Sequence, residues 1–438
     1  MLNQRPLSYR AEIIAPLIQS LAAGESCSVV GINGVGKTNM LQQLRRPDVV
    51  EHFAAGRGEL LAFCSLDANL LTQHDGWGFF EGMAEALLAD LQHMLPTGAL
   101  SRLTEEHAAI LASPGNYPLA LRHCAGALDA VLSHRRLVII FDEFDALLPQ
   151  LPDITLRNLR GLRDRHKYQL MYLTLSRERL PTLCDEDCQE AGEPFLELLS
   201  LCELGLHPLG EEDARREAAR FAERYQRTLN PSNYERIITL SGGHPGLLRA
   251  LTQVAIQQDI LPSEPRDMIT NVAALRNECL KLWNDLSGDE RDALWQAHRS
   301  SRLDPRRGED LLLKGLLRKG KAGQLTIFSP LLAALVDGEI ARTATTAPAD
   351  SRPVPIAINH ASQHVCYYGR EIGDSLSQLN FRLLSYLYGR YGELCSESEV
   401  TCAVHPDEKA DGNSERISVM VRRLSRKLKE LAPNEPEI

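Results

Sequence analysis

The stretch Ser26-Cys27-Ser28-Val29-Val30-Gly31-Ile32-Asn33-Gly34-Val35-Gly36-Lys37-Thr38 decides the fold. Its first five residues read as a short buried strand, and Gly31–Thr38 fits the spacing G-x-x-x-x-G-K-[ST]. That pattern needs a helix behind it, and the chain supplies one that ends before Pro47. Glycines here let successive backbone N–H groups turn towards phosphate oxygens, and the helix N-terminus adds positive potential. The expected phosphate cradle is Gly31, Asn33, Gly34, Val35, Gly36, Lys37, Thr38 and Asn39. Lys37 should reach the β- and γ-phosphates, and the Thr38 hydroxyl should ligate Mg²⁺. The bland alternative is a glycine-rich turn between a strand and a helix, and the flanking elements argue against it.

Outward from this loop, the first two hundred residues alternate short apolar strands with helical stretches. The strands are expected at Ser26–Val30, Leu60–Ser65, Leu137–Phe141, Leu170–Leu175 and Cys202–Leu206, with helices between them, including Gly78–Met94 and Tyr117–His134. This is the pattern of an α/β P-loop NTPase fold, a mainly parallel sheet covered by helices.

Leu137-Val138-Ile139-Ile140-Phe141-Asp142-Glu143 is an apolar strand ending in two carboxylates. It is expected beside the phosphate loop, with Asp142 holding the Mg²⁺ shell. Glu143 can then orient and deprotonate an attacking water, which makes Glu143 and Lys37 the candidate catalytic residues. A switch protein that hydrolyses slowly or hardly at all is the alternative. Asp145 reads equally as a further acidic contact or as a helix N-cap. Met171–Arg177 ends another strand in Thr174, Ser176 and Arg177, either to sense a γ-phosphate or as a solvated strand end.

A chain of 438 residues exceeds one core and should divide into roughly two to four domains. A hydrophobic content of 44% and a charged content of 24% are ordinary for a folded soluble protein. The net charge of −10 argues against a protein that coats nucleic acid, so any such contact needs a local basic face. No apolar run reaches the length of a membrane-spanning helix, and MLNQRPLSYRAE lacks the apolar core of a signal peptide. A cytoplasmic protein with no membrane partner is expected. The ten cysteines include no CxxC pair, and Cys184 and Cys188 lack the second Cys/His pair of a zinc site.

From Gly210 onward the strand signal fades. Glu211–Tyr225 opens on three acidic residues that suit the positive end of a helix dipole, and helices follow at Pro231–Leu240 and Pro245–Gln257. Ser287-Gly288-Asp289-Glu290 is a capping box. A helix around Glu309–Leu317 and a hairpin-like Arg318–Phe328 follow it, the order of a winged helix. Ala341–Pro355 is small, polar and proline-bearing, the clearest linker. The expected domains are an ATPase domain at 1–207, a helical lid at 208–265, a first winged helix at 266–342, a linker at 343–356 and a second winged helix at 357–438.

These residues resemble the STAND branch of AAA+-related ATPases: a P-loop, an Asp-Glu strand, a strand ending in Ser-Arg, and Ser241-Gly242-Gly243-His244-Pro245 in a helical domain. Leu282-Trp283, Leu286-Ser287, Gly315-Leu316-Leu317 and Ile327-Phe328-Ser329-Pro330 are similar to the winged helix that follows in that group. The resemblance implies that Gly243, His244 and Pro245 lie over the nucleotide, although the same turn is also a good helix break. It places Tyr9-Arg10-x-Glu12 where such ATPases contact adenine. It further implies ATP and ADP as ligands, a closed ADP state, and an open or oligomeric ATP state. A long repeat array, common among relatives, is missing.

Residues from about Val365 resemble the DNA-binding domain of OmpR/PhoB-type response regulators, through Tyr367-x-Gly369-Arg370-Glu371-Ile372, Phe381-x-Leu383-Leu384, Gly392-Glu393-Leu394 and Val421-Arg422-Arg423-Leu424-Ser425-Arg426-Lys427-Leu428. In the helix Ser414–Leu431, Ile417, Val421, Leu424 and Leu428 form a buried stripe at helical spacing. Arg416, Arg422, Arg423, Arg426 and Lys427 crowd the other face, as suits a helix in a major groove or, equally, a solvated amphipathic helix. The chain stops at Ile438, where relatives begin the wing hairpin. The expectation is a nucleotide-dependent switch coupled to DNA, in transcription or in mobile-element or defence control. An ATP-gated scaffold with protein partners and nucleotide-dependent self-assembly is the first alternative, and an origin-recognition-like AAA+ loader the second.

Overall fold

The computed structural model describes residues 4–56, 61–71, 73–183, 186–258, 261, 264–300, 305–320, 323–345, 356–359, 364–367, 370–372, 376, 378–390, 399–400, 421 and 424–425. Five strands form one sheet: β1 (Cys27–Val30), β2 (Leu61–Asp67), β3 (Arg136–Asp142), β4 (Leu170–Ser176) and β5 (Glu203–Gly205). Every pairing is parallel, in the order β2-β3-β4-β1-β5. β1 and β4 are buried along their whole length, which is why they read as unbroken apolar runs without alternation.

Helices make every crossover, as parallel strands require. α1 (Ala11–Ala23) precedes β1, and α2 (Lys37–Leu44) and α3 (Pro47–Phe53) lead to β2. α4 (Gly76–Leu91), α5 (Thr97–Leu111) and α6 (Tyr117–Leu132) join β2 to β3. α7 (Phe144–Leu147) and α8 (Asp153–Arg165) lead to β4, and α9 (Leu180–Leu183) and α10 (Glu186–Ser200) lead to β5. On one face of the sheet the Phe141 ring stacks on Phe144 at 5.1 Å and on Tyr172 at 5.6 Å. Both contacts sit in the main core cluster and fix the tip of β3, where the carboxylates are.

After the sheet come α11 (Glu211–Arg224), α12 (Pro231–Ser241) and α13 (Pro245–Gln258). Asn230 caps α12 by accepting from the Asn233 N–H, and Pro231 occupies its first turn. α14 (Pro265–Asn271), α15 (Ala273–Asn284), α16 (Gly288–Ser300) and α17 (Pro305–Leu313) follow, then the antiparallel hairpin β6 (Leu317–Lys319) and β7 (Leu325–Ile327), and α18 (Pro330–Thr345). The Ser287 capping box forms as read: Ser287 Oγ accepts from the Glu290 N–H, and Glu290 Oε2 accepts from the Ser287 N–H. The chain divides into two compact units, Met1–Asp285 with Ala293–Asp337, and Leu286–Asp292 with Gly338–Ile438.

In the second unit β8 (Ile356–Asn359), β9 (His364–Tyr367) and β10 (Arg370–Glu371) form an antiparallel sheet in the order β10-β9-β8, followed by α19 (Gln378–Gly389). Val365, Tyr367, Ile372, Leu383, Leu384 and Leu424 share its core, with Val421 partly buried against it. Leu424 and Val421 thus belong to the stripe read from the sequence. Arg416, Arg422, Arg423, Arg426 and Lys427 lie outside the described residues, and so do Ile417 and Leu428.

β3 ends beside the phosphate loop as expected, with Glu143 Oε1 3.7 Å from Lys37 Nζ, although β4 is inserted between β3 and β1. Two expectations are corrected. The linker expected at 343–356 is shorter, since α18 runs on to Thr345 and β8 starts at Ile356. The helix-forming Ala341 and Arg342 extend α18 into what composition alone marked as loop. The helix read as Glu309–Leu317 runs from Pro305 to Leu313, and Gly315, at a φ of 70°, turns the chain into β6. Among the described residues no helix is long and apolar enough to cross a membrane.

Candidate functional site

The site grows from the end of β1. Val30 pairs with Ser176 of β4, and the Gly31 N–H donates to the Ser176 carbonyl at 3.0 Å, so the loop leaves the sheet level with the tip of β4. Gly36 then takes a φ of 98°, which side-chain-bearing residues rarely adopt, and this turns the chain directly into α2. No side chain caps α2, and its first turn carries no acid, so the amides there are left to an anion. Lys37 is buried, with Nζ donating to the Gly31 carbonyl at 3.2 Å and lying 3.7 Å from Glu143 Oε1. Thr38, on the same turn, is exposed.

The inserted β4 sets the spacing of the opposite wall. Neighbouring strands lie about 4.8 Å apart, so β3 stands roughly 10 Å from β1, room enough for a phosphate chain and a water. Asp142 is half-buried at the tip of β3, and its Oδ1 accepts from the Glu143 N–H at 3.0 Å. Burial pushes its carboxyl above the usual range, and the Glu143 charge adds to that. Such a group is short of a counter-cation, and a divalent ion supplies one. The donor set fits Mg²⁺ as P-loop proteins take it, with one carboxylate, Asp142, and one hydroxyl, Thr38. Glu143 itself is held in the left-handed region at a φ of 51°, an outlier of the kind that clusters at working sites.

Arg177 follows β4 into the same space. Its Nε donates to Asp145 Oδ2 at 2.7 Å and lies 3.9 Å from Glu143, while Nη1 lies 4.0 Å from Asp285. Asp145 lies in the first turn of α7, whose N-cap position is Glu143, and its partner here is Arg177. Ser176 donates to the Glu178 carbonyl and Thr174 is fully buried inside the sheet, so Arg177 is the group of this strand end that reaches the other charged residues.

The Gly-Gly-His-Pro turn closes over the loop. Gly243 takes a φ of 82°, and a Cβ there would meet the Leu209 carbonyl at 2.1 Å, so glycine is required. His244 is buried, its Nε2 donates to the Asn33 carbonyl at 2.8 Å, and its Nδ1 accepts from the Leu247 N–H at 3.3 Å. Those two bonds define the neutral tautomer. Burial pulls its pKa down to about 4, which keeps it neutral. Pro245 lies against Gly36, 3.6 Å from where a Cβ of Gly36 would sit.

Sequence reasoning missed three supports. Arg10, held at a φ of 51°, is buried, and its guanidinium donates to the carbonyls of Val35 and His207. Its backbone N–H donates to Asp213 at 2.9 Å. The sequence placed Tyr9-Arg10 near a base, whereas the structure commits the Arg10 guanidinium to the phosphate loop's own backbone. Second, Arg318 of β6 donates to the Gly242 carbonyl, and Ser329 Oγ donates to the Leu240 carbonyl at 2.7 Å, so the hairpin region grips the far side of the same turn. Third, Asn39, Phe221, Pro245, Leu248 and Arg249 line a small open cleft of about 80 Å³ beside the first turn of α2. The clue to Arg10 was a cation just before an apolar helix, but which carbonyls it reaches depends on residues far along the chain.

A Gly-rich loop between β1 and α2, a parallel sheet in this order and an Asp-Glu tip on β3 settle the architecture. This is the P-loop NTPase fold. No protein-family model matches the chain, and a comparison with curated proteins returns no match. Among solved structures it is similar to a Walker-type ATPase of Pyrococcus abyssi, with a TM-score of 0.49 and 13% identity over 77% of this chain and 100% of that one. It is also similar to the Aeropyrum pernix ORC2 protein in its ADP form, with a TM-score of 0.41 and 14% identity over 78% and 97%. A third is Cdc6p from Pyrobaculum aerophilum, at 0.36 and 13% over 78% and 96%.

Proposed function

We propose that this chain is an ATP-dependent molecular switch, a slow P-loop ATPase whose nucleotide state is passed to its helical and hairpin regions. One observation carries the reading. The phosphate loop is bonded through Asn33 to His244, and the turn holding His244 is bonded through Gly242 to Arg318. A loop rearranged by nucleotide therefore moves a part with no catalytic work of its own. An enzyme built only for turnover has no use for such a connection.

Each residue then has a role. Lys37 and the amides of Gly34, Val35 and Gly36 take phosphate oxygens, and the cleft beside Asn39 and Pro245 takes the base. Thr38 and Asp142 would hold Mg²⁺, which neutralises charge developing on the β- and γ-phosphate oxygens. Glu143 orients the attacking water and accepts its proton. Arg177 exchanges Asp145 and Asp285 for the γ-phosphate. The finer reading is a STAND-type switch whose output is DNA, with 266–342 and 357–438 as winged helices and Arg416, Arg422, Arg423, Arg426 and Lys427 as the DNA contacts.

One observation favours the assembly and loader readings. On α8, Arg160 pairs with Asp164 and Glu197, Arg163 donates to the Gly24 carbonyl, and Arg165 pairs with Asp129. Arg157 is exposed on the same helix, an arginine suited to reach a neighbour's nucleotide.

Mass measurement with ADP and then with a non-hydrolysable ATP analogue separates these readings. A mass that changes with nucleotide and stops changing in Arg157→Ala supports assembly. A constant mass with a salt-sensitive gel shift on promoter DNA, lost in Arg423→Ala, supports the DNA switch. Lys37→Ala should abolish nucleotide binding, and unchanged ATP affinity in that variant would sink both.

A further inference from the structure

Two thiols lie outside the nucleotide site but on the strand that feeds it. Cys27 opens β1 and Cys202 immediately precedes β5. Ser28 pairs in register with Glu203, and the Ser28 N–H donates to the Cys202 carbonyl at 2.8 Å. One step back in that register, Cys27 and Cys202 are side by side and on one face. Adjacent strands lie about 4.8 Å apart, inside the roughly 4.4–6.8 Å Cα separation that a disulfide spans. Each thiol acts on the other's ionisation, and the Ser20 hydroxyl of α1 acts on both.

We propose that Cys27 and Cys202 are a peroxide-responsive pair that closes a reversible disulfide between β1 and β5. The two thiols differ in the way such a reaction needs. Cys202 is itself only 9% exposed but lies next to Leu201, which is 80% exposed, while Cys27 is fully buried. The neighbouring Cys27 thiol draws the Cys202 thiol down to about 6, while Cys202 and burial hold Cys27 protonated. At neutral pH Cys202 is therefore the nucleophile, and Cys27 the resolving thiol behind it. Cys64, Cys124 and Cys279 are controls in the same chain, because burial pushes each of them far up and leaves it inert.

The chemistry balances with a hydroperoxide as oxidant. The Cys202 thiolate attacks the O–O bond, an S–O bond forms, and the leaving oxygen departs as water after taking a proton. The Cys27 sulfur then attacks the Cys202 sulfur, the S–S bond forms, the S–O bond breaks, and the oxygen leaves as a second water with the Cys27 proton. Two thiols lose two electrons and two protons, and one hydrogen peroxide becomes two waters. An external dithiol reverses the step by exchange. The cross-link pins β5 to the strand carrying the phosphate loop, close to where Leu206 abuts Gly31.

The test uses the full chain, reduced, desalted and treated with hydrogen peroxide, then alkylated and mapped as peptides without reductant. The expected result is one linked pair, Cys27 with Cys202, two hydrogens lighter than the separate thiol peptides and restored by dithiothreitol. The thermal midpoint of the oxidised chain should rise by several degrees, because a long loop is closed in the unfolded state. Cys27→Ser should replace the link by a dimedone adduct on Cys202, and Cys202→Ser should give neither. Links elsewhere, or a Cys202 sulfinic acid beside an alkylated Cys27 in the unaltered chain, overturn the proposal. If Cys27→Ser fails to fold, the map of the unaltered chain decides alone.

Discussion

His244 donates from Nε2 to the carbonyl of Asn33 at 2.8 Å, so a turn between two helices holds the phosphate loop by its backbone. That bond tolerates any loop side chain, and the second one, in which Nδ1 accepts from the Leu247 N–H, tolerates only the neutral imidazole. Glu278 raises the His244 pKa and Arg10 lowers it, but burial outweighs both and sets it at about 4. An unfolded histidine titrates near 6.5, so between these values the unfolded chain binds the extra proton. His244 therefore contributes stability that is fully present above about pH 6.5 and is lost as pH falls towards 4.

The first prediction follows from that sign. Chemical denaturation from pH 7 down to pH 4 should show a loss of about 3 kcal/mol traceable to His244. His244→Gln keeps a donor for Asn33 and does not titrate. Its stability should fall less over the same range, and parallel curves for the two proteins would remove His244 from this role.

Arg10 gives a second prediction. Its guanidinium is buried and donates to two carbonyls that belong to different parts of the fold, Val35 of the loop and His207 beyond β5. Arg10→Ala leaves both without a donor and should cost roughly 3 kcal/mol or more. Arg10→Lys keeps the charge but cannot fork to two acceptors, so it should recover less than half of that loss. Denaturant midpoints of the two variants check it, and full recovery by lysine would mean that charge alone matters.

The sheet was legible because its strands are unbroken apolar runs, and the loop because few residue patterns turn backbone amides towards phosphate. The Ser287 capping box and the Gly-Gly-His-Pro break were legible for the same local reason. Strand order was not. Nothing in Leu137–Phe141 says that Leu170–Leu175 will insert between it and β1, since that choice is made by the crossovers and by packing of the aromatic face. The same limit hid Arg10, Asp285 and Arg318. Each acts on a partner far along the chain, and its own neighbours in sequence do not say which. Composition misled at Ala341–Thr345, where a helix already under way at Pro330 carried weakly polar residues along with it.

A third prediction compares two glycines. Both take a left-handed φ, 98° at Gly36 and 82° at Gly243. A Cβ on Gly36 would meet Arg10 and Pro245 at 3.5 and 3.6 Å, ordinary contact, so Gly36→Ala should cost only the backbone strain of about 1–2 kcal/mol. A Cβ on Gly243 would lie 2.1 Å from the Leu209 carbonyl, so the turn must shift and the Leu209–Gly243 bond must break. Gly243→Ala should cost about 3 kcal/mol or more and should also weaken nucleotide binding. Equal losses in the two variants would mean that the turn relaxes freely and does not hold the loop.

The last prediction separates binding from chemistry. Lys37 lies 3.7 Å from Glu143, and Asp142 is pushed up by burial with the Glu143 charge beside it. Glu143→Gln removes that charge. Asp142 then ionises more easily, and Lys37 loses a competitor for phosphate, so affinity for ATP should hold or rise slightly. Hydrolysis should fall by about 10²-fold or more, because the amide cannot take a proton from water. Removing the divalent ion with a chelator should stop hydrolysis in both proteins and weaken ATP binding more than ADP binding, since the γ-phosphate loses its counter-charge. Turnover in Glu143→Gln equal to the unaltered chain would leave Glu143 as no more than the partner of Lys37. The base would then have to be sought at the water-facing end of β4.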